Sequence, residues 1–417
     1  MADSSIPKFH EKNRKERISI VGSFADLSKK DIEILKDNGW LSFDKANNMV
    51  ENAIGALSFP LGIATNFKIN GKDYLIPMVI EEPSVIAAAS KAAKIARKHG
   101  GFMMEADGSY SLGQIQVMDV SSKAAIPKVM RAKTEILKLA NSKSKTLSKM
   151  GRGAKEVSCK ELKTNSGTML VVELLIDVGD AMGANITNTM CEGVAPLIEN
   201  LTGGRVLLRI LSNYSTRRLV RGKAIFDRDE LGGQEIVDNI ILAYEFAAND
   251  TFRAVTHNKG IMNGIIAVAN ATGQDTRAIE AAAHAYASRD GRYTSLTKWR
   301  KDRQGDLVGE IEIPMPVGIV GGIVNVHPMI KVCTKILRLE SAKELACVMG
   351  AVGLAQNLSA IRALVSEGIQ KGHMRLHARN IAASVGTPKN KIDEMISRMV
   401  KEHNISVTRA KEILKEL

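Results

Sequence analysis

The order of hydrophobic and polar positions along the chain predicts strands and helices before any composition is considered. Two strand-like runs within residues 65–80 flank Asn70-Gly71, a pattern typical of a tight β-hairpin. An alanine-rich run follows, from Val85 to Lys98, with Pro83 near its start and Gly100 just past its end. Proline at the start and glycine beyond the end predict a helix over this run.

Residues 110–212 carry a different pattern. Strand-like runs at Gln114–Val120, Met169–Val178 and Arg205–Ile210 are separated by a lysine-rich helix and loop over Arg131–Lys155. This order differs from the alternation of a Rossmann fold. We therefore expect a small inserted α+β domain of the ferredoxin-like, non-Rossmann kind.

The segment Tyr214–Met374 is rich in helix-forming residues with alanine and glycine at many positions, which predicts helices packed closely around a central buried one. A small helical unit should follow Gly386-Thr387-Pro388, with Thr408 capping the last helix. At the other end, residues 1–50 are basic and helical, with Asp26 and Ser28 as caps. The predicted class is α+β, divided into a large domain (1–109 and 213–374), a small domain (110–212) and a C-terminal helical unit (375–417).

Composition narrows the class of protein. With 417 residues, 45% hydrophobic and 25% charged, the chain suits a well-folded protein of two or three domains. Four widely spaced cysteines argue against zinc ribbons and disulfide frameworks. No stretch suggests a membrane span and the start lacks a basic, apolar leader, so the cytoplasm is the expected location.

The net charge of +13 indicates an anionic partner. Nucleic acid is one candidate, and a small polyanion such as a nucleotide or coenzyme A is another. Aromatic residues make up only 4% of the chain, too few for stacking platforms, and no nucleic-acid motif occurs. We therefore expect no nucleic acid, and a basic nucleic-acid-binding protein remains the weaker alternative.

Lys259 stands alone at the start of an apolar run, Ile261–Thr272, that ends at Gly273-Gln274-Asp275. A lysine with little water and few charges nearby pairs with a carboxylate or loses its proton, and either state suits stabilisation of an oxyanion. The alternative is a surface ammonium on a buried stem.

Two glycine-containing segments could hold a nucleotide, although neither G-x-G-x-x-G nor a P-loop occurs. The first leaves a strand at Asp180 and enters a helix, which Asp180 could cap and whose start could bind pyrophosphate. The second follows another predicted strand at Pro316–Gly322. A capped helix and a tight turn are the plain alternatives. The candidate residues are Asp180, Met182, Gly183, Ala184, Asn185, Gly318, Gly321 and Gly322.

Six ordered blocks then identify a resemblance. They are Glu51-Asn52-Ala53-Ile54-Gly55, Glu81-Glu82-Pro83-Ser84, Asp180 to Asn185, Thr256-His257-Asn258-Lys259-Gly260, Ala271-Thr272-Gly273-Gln274-Asp275 and Gly372-His373-Met374. In this order they resemble the hydroxymethylglutaryl-CoA reductases, and most closely the class II form without a membrane anchor. The resemblance covers nearly the whole chain.

The resemblance implies reduction of hydroxymethylglutaryl-CoA to mevalonate and coenzyme A with two NAD(P)H, through mevaldyl-CoA and mevaldehyde, without a metal. It implies that Lys259 stabilises the thioester oxygen, that Glu82 donates a proton and that Asp275 lies between them. His373 would protonate the departing thiolate. The same enzyme working oxidatively on mevalonate, or another thioester enzyme with the same pocket, are the alternatives.

The resemblance also implies a substrate pocket, a mobile C-terminal flap from about residue 375 and a homodimer with shared active sites, possibly within a higher oligomer. Glu82 and Lys259 would come from different subunits, and residues 51–55 would lie at the dimer contact. The expected substrate-binding residues are Ser84, Arg253, Asn263, Gln356, Asn357, His377 and Arg379.

Cofactor choice depends on Lys143, Ser144 and Lys145. An NAD-preferring relative carries an aspartate at the position of Ser144, whereas this cluster would attract a ribose phosphate. NADPH is therefore the favoured cofactor, with NADH possible and a solvated lysine loop as the alternative.

Overall fold

The computed structural model describes residues 3–366, 378–402 and 404–417. The protein is α+β, as predicted. Its strands are β1 (Leu61–Ile69), β2 (Lys72–Val79), β3 (Phe102–Ala106), β4 (Tyr110–Met118), β5 (Gly153–Thr164), β6 (Gly167–Asp177), β7 (Arg205–Ser212), β8 (Leu219–Phe226), β9 (Thr297–Lys301) and β10 (Leu307–Pro314). Its helices up to residue 365 are α1 (Arg14–Ala25), α2 (Lys29–Lys36), α3 (Phe43–Met49), α4 (Val85–Arg97), α5 (Ser122–Arg131), α6 (Lys133–Ser142), α7 (Lys145–Lys149), α8 (Ala184–Thr202), α9 (Arg228–Leu231), α10 (Gln234–Asn249), α11 (Thr251–Thr272), α12 (Thr276–Ala287), α13 (Pro328–Leu337) and α14 (Ala342–Val365).

A six-stranded sheet organises the larger part of the chain, in the order β2-β1-β3-β8-β10-β9. The β1–β2 hairpin turns at Asn70-Gly71, as predicted, and both residues adopt positive φ. β1 and β3 pair in parallel, and the other neighbours are antiparallel. The sheet is thus built from strands that lie on both sides of residues 110–212 in the sequence.

Two long helices, α11 and α14, pack against each other beside this sheet. Small residues allow the approach: a Cβ on Gly264 would lie 3.0 Å from Val352, and one on Gly353 would lie 2.8 Å from Ile265. α14 is long and apolar enough to cross a membrane by length and composition, which the sequence analysis missed. Because 67% of its most apolar window is buried inside the protein, its composition is accounted for by its place in the core.

Residues 110–212 form a separate unit with its own hydrophobic cluster. Its antiparallel sheet has the order β5-β6-β4-β7, and the helices between the strands pack on it. Strand β5 was not predicted, and the lysine-rich stretch assigned to a helix and loop contains α6, α7 and the start of β5. The outer half of β5 is charged and exposed, so it carries no hydrophobic alternation.

Beyond residue 378 the described chain is helical and has a hydrophobic cluster of its own. Ser406, rather than Thr408, caps its last helix (Val407–Glu416), because the Ser406 side chain accepts the backbone N–H of Arg409. Near the other end of the chain, Ser28 caps α2 as expected, whereas Asp26 ends α1 in a left-handed conformation.

Candidate active site

A cleft of about 760 Å³ lies between α4, α11 and α14. The turn between β2 and α4 supplies one wall, α11 supplies the second and α14 supplies the floor. The predicted residues that line it are Glu82, Ser84, Arg253, Lys259, Asn263, Gln356 and Asn357. Residues from three separate regions of the sequence therefore meet at one site.

The charged pair in the cleft is Lys259 and Glu82. Lys259 Nζ lies 3.2 Å from Glu82 Oε2, and the Asn263 side-chain amide donates to the same oxygen at 3.3 Å. The Lys259 side chain is 62% exposed, so the expectation of a poorly hydrated ammonium is wrong for the single chain. The apolar positions of α11, such as Ile261 and Ile265, face the core, whereas Lys259 is on the cleft side.

The site is assembled differently from the expectation that Glu82 and Lys259 come from different subunits. Glu82 and Lys259 meet within one chain, so this contact needs no second subunit. Asp275, by contrast, is absent from the described cleft lining. It caps α12 by accepting the Ala278 backbone N–H at 3.1 Å and pairs with Arg277 at 3.2 Å. The reason is distance, because α11 runs on for about 20 Å after Lys259 before the chain reaches Asp275.

Arg253 presents a cation to the same cleft. Within the described residues its guanidinium has no carboxylate partner, and burial lowers its pKa. Ser84, at the opposite wall, precedes α4 with φ of 75°, a left-handed conformation that is uncommon for serine. A guanidinium and a conformationally constrained hydroxyl that line the same cleft are suited to binding a carboxylate.

The cleft floor contains a buried hydrogen-bonded chain that the sequence analysis missed. His257 Nε2 lies 2.7 Å from Thr297 Oγ1, Thr297 Oγ1 donates to Asn357 Oδ1, and the Trp299 indole N–H donates to the same oxygen. Burial, with a smaller contribution from the Arg253 charge, lowers the pKa of His257 to about 3. The only sequence signal was the position of His257 inside the block around Lys259, because β9, which carries Thr297 and Trp299, was not predicted.

The two glycine-containing segments meet elsewhere in the structure, with backbone packed on backbone. Ala181 forms a parallel bridge with Val320, and the Ile319 N–H donates to the Asp180 carbonyl at 2.8 Å. A Cβ on Gly318 would lie 2.3 Å from the Met182 nitrogen, so only glycine fits there. Gly318 therefore serves this contact, whereas the space beside Gly321 and Gly322 is open.

Arg218, which the sequence analysis did not select, ties these segments together. The residue is buried, and its guanidinium donates to the carbonyl oxygens of Met182, Ala181 and Val317. Burial lowers its pKa to about 10. Gln274 adds two hydrogen bonds of 2.9 Å with the backbone of Gly318, which holds the start of α12, and with it Asp275, beside the glycine segments.

Asp180 does not cap α8. Its Oδ1 accepts the backbone N–H of Ala342 at 2.9 Å, at the start of α14. Gly183, with φ of 101°, occupies the N-cap position of α8, and no side chain caps that helix. Among the described residues, therefore, no side chain caps the first N–H groups of α8, which leaves this helix start suited to a phosphate.

The remaining predicted residues lie outside the cleft or outside the described residues. Ser144 caps α7 by accepting the Leu147 N–H, and the aliphatic stem of Lys143 packs over Gly193 of α8. Arg379 pairs with Asp393 at 2.9 Å inside the C-terminal unit. His373 and His377 lie outside the residues that the structure describes.

Comparison with known proteins decides the family. The family model described as hydroxymethylglutaryl-coenzyme A reductase matches residues 13–378. The chain belongs to this family. The resemblance found in the sequence and the expected activity, reduction of hydroxymethylglutaryl-CoA to mevalonate, are thereby confirmed.

Individual members of the hydroxymethylglutaryl-coenzyme A reductase family resemble the chain over most of its length. The 3-hydroxy-3-methylglutaryl-coenzyme A reductase of Archaeoglobus fulgidus is 52% identical over 99% of this chain and 95% of its own length. A solved reductase from Streptococcus pneumoniae is 39% identical with a TM-score of 0.84, covering 98% of this chain and 99% of its own. A class II reductase structure from Streptococcus pneumoniae bound to NADPH in open conformations has a TM-score of 0.83 and 40% identity, covering 86% of this chain and 99% of its own.

Proposed function

We propose that the cleft holding Glu82 and Lys259 is the place where this reductase converts the thioester of hydroxymethylglutaryl-CoA to mevalonate. The observation that carries the proposal is the 3.2 Å contact between the ammonium and the carboxylate in a cleft that also presents Arg253. The balanced reaction is hydroxymethylglutaryl-CoA plus two NADPH and two protons, giving mevalonate, coenzyme A and two NADP⁺. When bound, the reduced nicotinamide supplies the hydride of each step.

Lys259 hydrogen-bonds the thioester oxygen and stabilises the negative charge that develops there. In the resting site the ammonium pairs with the neighbouring Glu82 carboxylate at 3.2 Å. At the aldehyde stage Glu82 donates the proton that completes the alcohol, and the Asn263 amide holds the carboxyl group toward Lys259. One pair thus serves both reductions.

Arg253 and Ser84 bind the free carboxylate of the acyl group. A planar guanidinium pairs with a carboxylate in a bidentate manner, and Arg253 has no competing carboxylate among the described residues. His373 protonates the departing thiolate, and the C-terminal unit from about residue 375 closes over the site as a flap. Gln356, Asn357, His377 and Arg379 remain candidates along the substrate path.

A homodimer completes the site by supplying Asp275 from the second subunit. Two features support this arrangement: Asp275 lies with the glycine segments rather than in the cleft of its own chain, and residues 51–60 lie outside the helices and strands and are largely exposed. Ile54 and Leu57 on that segment are 99% and 85% exposed, which suits an intersubunit contact.

A mixing experiment tests the shared site. Lys259→Ala and Asp275→Ala proteins, each inactive alone, are unfolded together, refolded and assayed. Shared sites restore roughly a quarter of wild-type activity, because about half of the dimers are mixed and one of the two sites in each mixed dimer receives both groups. If the mixture stays inactive although mixed dimers form, each subunit makes its own complete site.

Residues 110–212 form the cofactor domain, and residues 1–109 with 213–374 form the substrate domain. The uncapped start of α8, with Gly183 and Asn185, fits a pyrophosphate, and Lys143 and Lys145 fit the ribose phosphate of NADPH. The ferredoxin-like strand order β5-β6-β4-β7 provides the frame. We place the enzyme in the cytoplasm, working in the direction of mevalonate synthesis.

The activity itself is tested by following nicotinamide absorbance and free thiol together. Protein mixed with NADPH and hydroxymethylglutaryl-CoA should oxidise two cofactors for each thiol released. Thiol release without oxidation would instead indicate a thioester hydrolase.

A further inference from the structure

The buried chain on the cleft floor determines which nitrogen of His257 carries the proton. The Trp299 indole can only donate, so the side-chain atom of Asn357 that it contacts at 2.9 Å is the oxygen. Thr297 Oγ1 also lies 2.9 Å from that oxygen and must donate its single proton to it. Thr297 can therefore only accept from His257.

His257 thus carries its proton on Nε2, which donates to Thr297 Oγ1 at 2.7 Å. Ser295 does not disturb this assignment, because its hydroxyl donates to the Thr297 carbonyl oxygen at 2.8 Å. Burial holds the pKa of His257 at about 3, so the ring is neutral near pH 7. Nδ1 is consequently left with a lone pair and no proton.

Nδ1 of His257 has no hydrogen-bond partner among the described residues, although the residue is only 2% exposed. The Gln356 side-chain oxygen is likewise buried and unpartnered, and both residues line the cleft. Buried acceptors without a donor cost free energy, which a ligand donor can recover. Two residues of the cleft lining therefore each carry a buried acceptor that lacks a donor among the described residues.

We infer that His257 Nδ1, with Gln356 beside it, accepts a hydrogen bond from the tertiary hydroxyl of the substrate acyl group. The inference rests on the proposed function, since it assumes that the acyl group enters this cleft with its carboxylate at Arg253. Arg253 and His257 are four residues apart on α11 and share one face, about 6 Å apart along the helix. That spacing suits a carboxylate and a hydroxyl separated by two carbon atoms.

The test compares two thioesters, hydroxymethylglutaryl-CoA and 3-methylglutaryl-CoA, which lacks only the hydroxyl. The wild-type protein should favour the hydroxylated thioester by about 10- to 100-fold in kcat/KM, the range expected for one unpaired buried acceptor. Equal use of both thioesters overturns the inference and leaves the reductase assignment intact. NADPH oxidation with neither thioester overturns the proposed function instead.

Two substitutions of His257 distinguish the roles of its two ring nitrogens. His257→Gln keeps a donor near the Nε2 position but loses the acceptor at Nδ1. The kcat/KM ratio of the hydroxylated to the unhydroxylated thioester should therefore fall toward one. His257→Asn keeps a polar atom at the Nδ1 position and should retain most of the preference. The same exchange at His10, whose side chain is 83% exposed, is the matched control.

An alternative role for Nδ1 is to accept from Arg253 and orient its guanidinium. In that case His257→Gln lowers kcat/KM equally for both thioesters, the preference is unchanged and the inference fails. If neither variant folds, ¹⁵N-histidine NMR of the wild-type protein decides. A Nδ1 resonance that moves with hydroxymethylglutaryl-CoA but not with 3-methylglutaryl-CoA supports the hydroxyl contact, and equal responses overturn it.

Discussion

The guanidinium of Arg218 donates a 2.6 Å hydrogen bond to the carbonyl oxygen of Val317. Its other arm donates at 2.7 Å to Met182, so one buried cation joins the two segments proposed to flank the cofactor. Backbone carbonyls, rather than a carboxylate, satisfy this charge. The geometry of both segments therefore depends on the planar fork of an arginine.

Replacing Arg218 with lysine should loosen this junction. A single ammonium cannot reach all three carbonyls in one plane, so the free energy of unfolding should fall by about 1 to 3 kcal/mol. The dissociation constant for NADPH should rise by about 10-fold and exceed any change for hydroxymethylglutaryl-CoA. Titration calorimetry and urea unfolding measure both effects, with Arg217→Lys, at an exposed neighbouring position, as the control. An equal loss of affinity for both ligands would contradict a specific role in cofactor binding.

Lys259→Ala should remove turnover and leave the fold intact. Losing an oxyanion donor lowers kcat by about 100- to 1,000-fold or more. The side chain is 62% exposed, so the melting temperature should stay close to that of the wild type. Steady-state kinetics and thermal unfolding check these two statements, and Lys123→Ala on exposed α5 is the matched control. Near-normal turnover would remove the lysine from the mechanism.

Arg253→Gln should weaken substrate binding selectively. The loss of a desolvated cation opposite a carboxylate corresponds to about 2 to 5 kcal/mol, or roughly 30-fold or more in KM. Stability should hardly change, because no described carboxylate loses its partner. The measurement is KM for hydroxymethylglutaryl-CoA beside KM for NADPH, with Arg303→Gln, in the exposed turn between β9 and β10, for comparison. An unchanged substrate KM would place the carboxylate elsewhere.

Ser144→Asp should shift cofactor preference toward NADH. Aspartate caps a helix as well as serine does, so the side chain at position 144 should still accept the Leu147 N–H at the start of α7. The added charge repels a ribose phosphate and should lower the NADPH to NADH ratio of kcat/KM by about 10-fold or more. Ser166→Asp, in the exposed turn between β5 and β6, adds the same charge away from the lysines. A ratio that moves equally in both variants reflects net charge alone.

His257 makes stability depend on pH in a defined direction. Burial holds its pKa at about 3 in the folded chain, against 6.5 for an ordinary histidine. Between these values the unfolded chain binds a proton that the folded chain does not, so stability falls as the pH drops below 6.5. The contribution is about 1.4 kcal/mol for each pH unit. Urea unfolding of wild-type and His257→Asn proteins between pH 7 and pH 5 should show the shallower dependence in the variant. Parallel curves would mean that His257 does not titrate differently on unfolding.

Local signals predicted the elements that depend on local chemistry. The Asn70-Gly71 hairpin and the helix after Pro83 follow from backbone preferences that act over a few residues. Strand β9 carries alternate polar residues in a short run, and β5 has a charged outer half, so neither stands out from a loop. Their identity depends on partners distant in the sequence.

The same distinction applies to the site. The family resemblance selected Glu82 and Lys259, and the structure shows them in contact although 177 residues separate them. Asp180 was expected to cap the nearest helix, α8, yet it binds the start of α14, which no local rule could indicate. His257 and Arg218 were missed because their roles depend on burial and on carbonyls supplied by distant segments.

The pairing of Phe102 on β3 with Ala224 on β8 has a consequence for synthesis on the ribosome, because about 120 intervening residues must emerge before this pair can form. The inserted unit is synthesised completely before β8 and can fold first. Until β8 emerges, β1, β2 and β3 lack this partner strand, and the core residues Phe67 and Phe102 remain exposed to solvent. Mutations that slow folding of the inserted unit lengthen the time for which these core residues are exposed, and so favour aggregation of the nascent chain. These mutations should lower the yield of soluble enzyme, whereas the molecules that fold without aggregating should have normal specific activity.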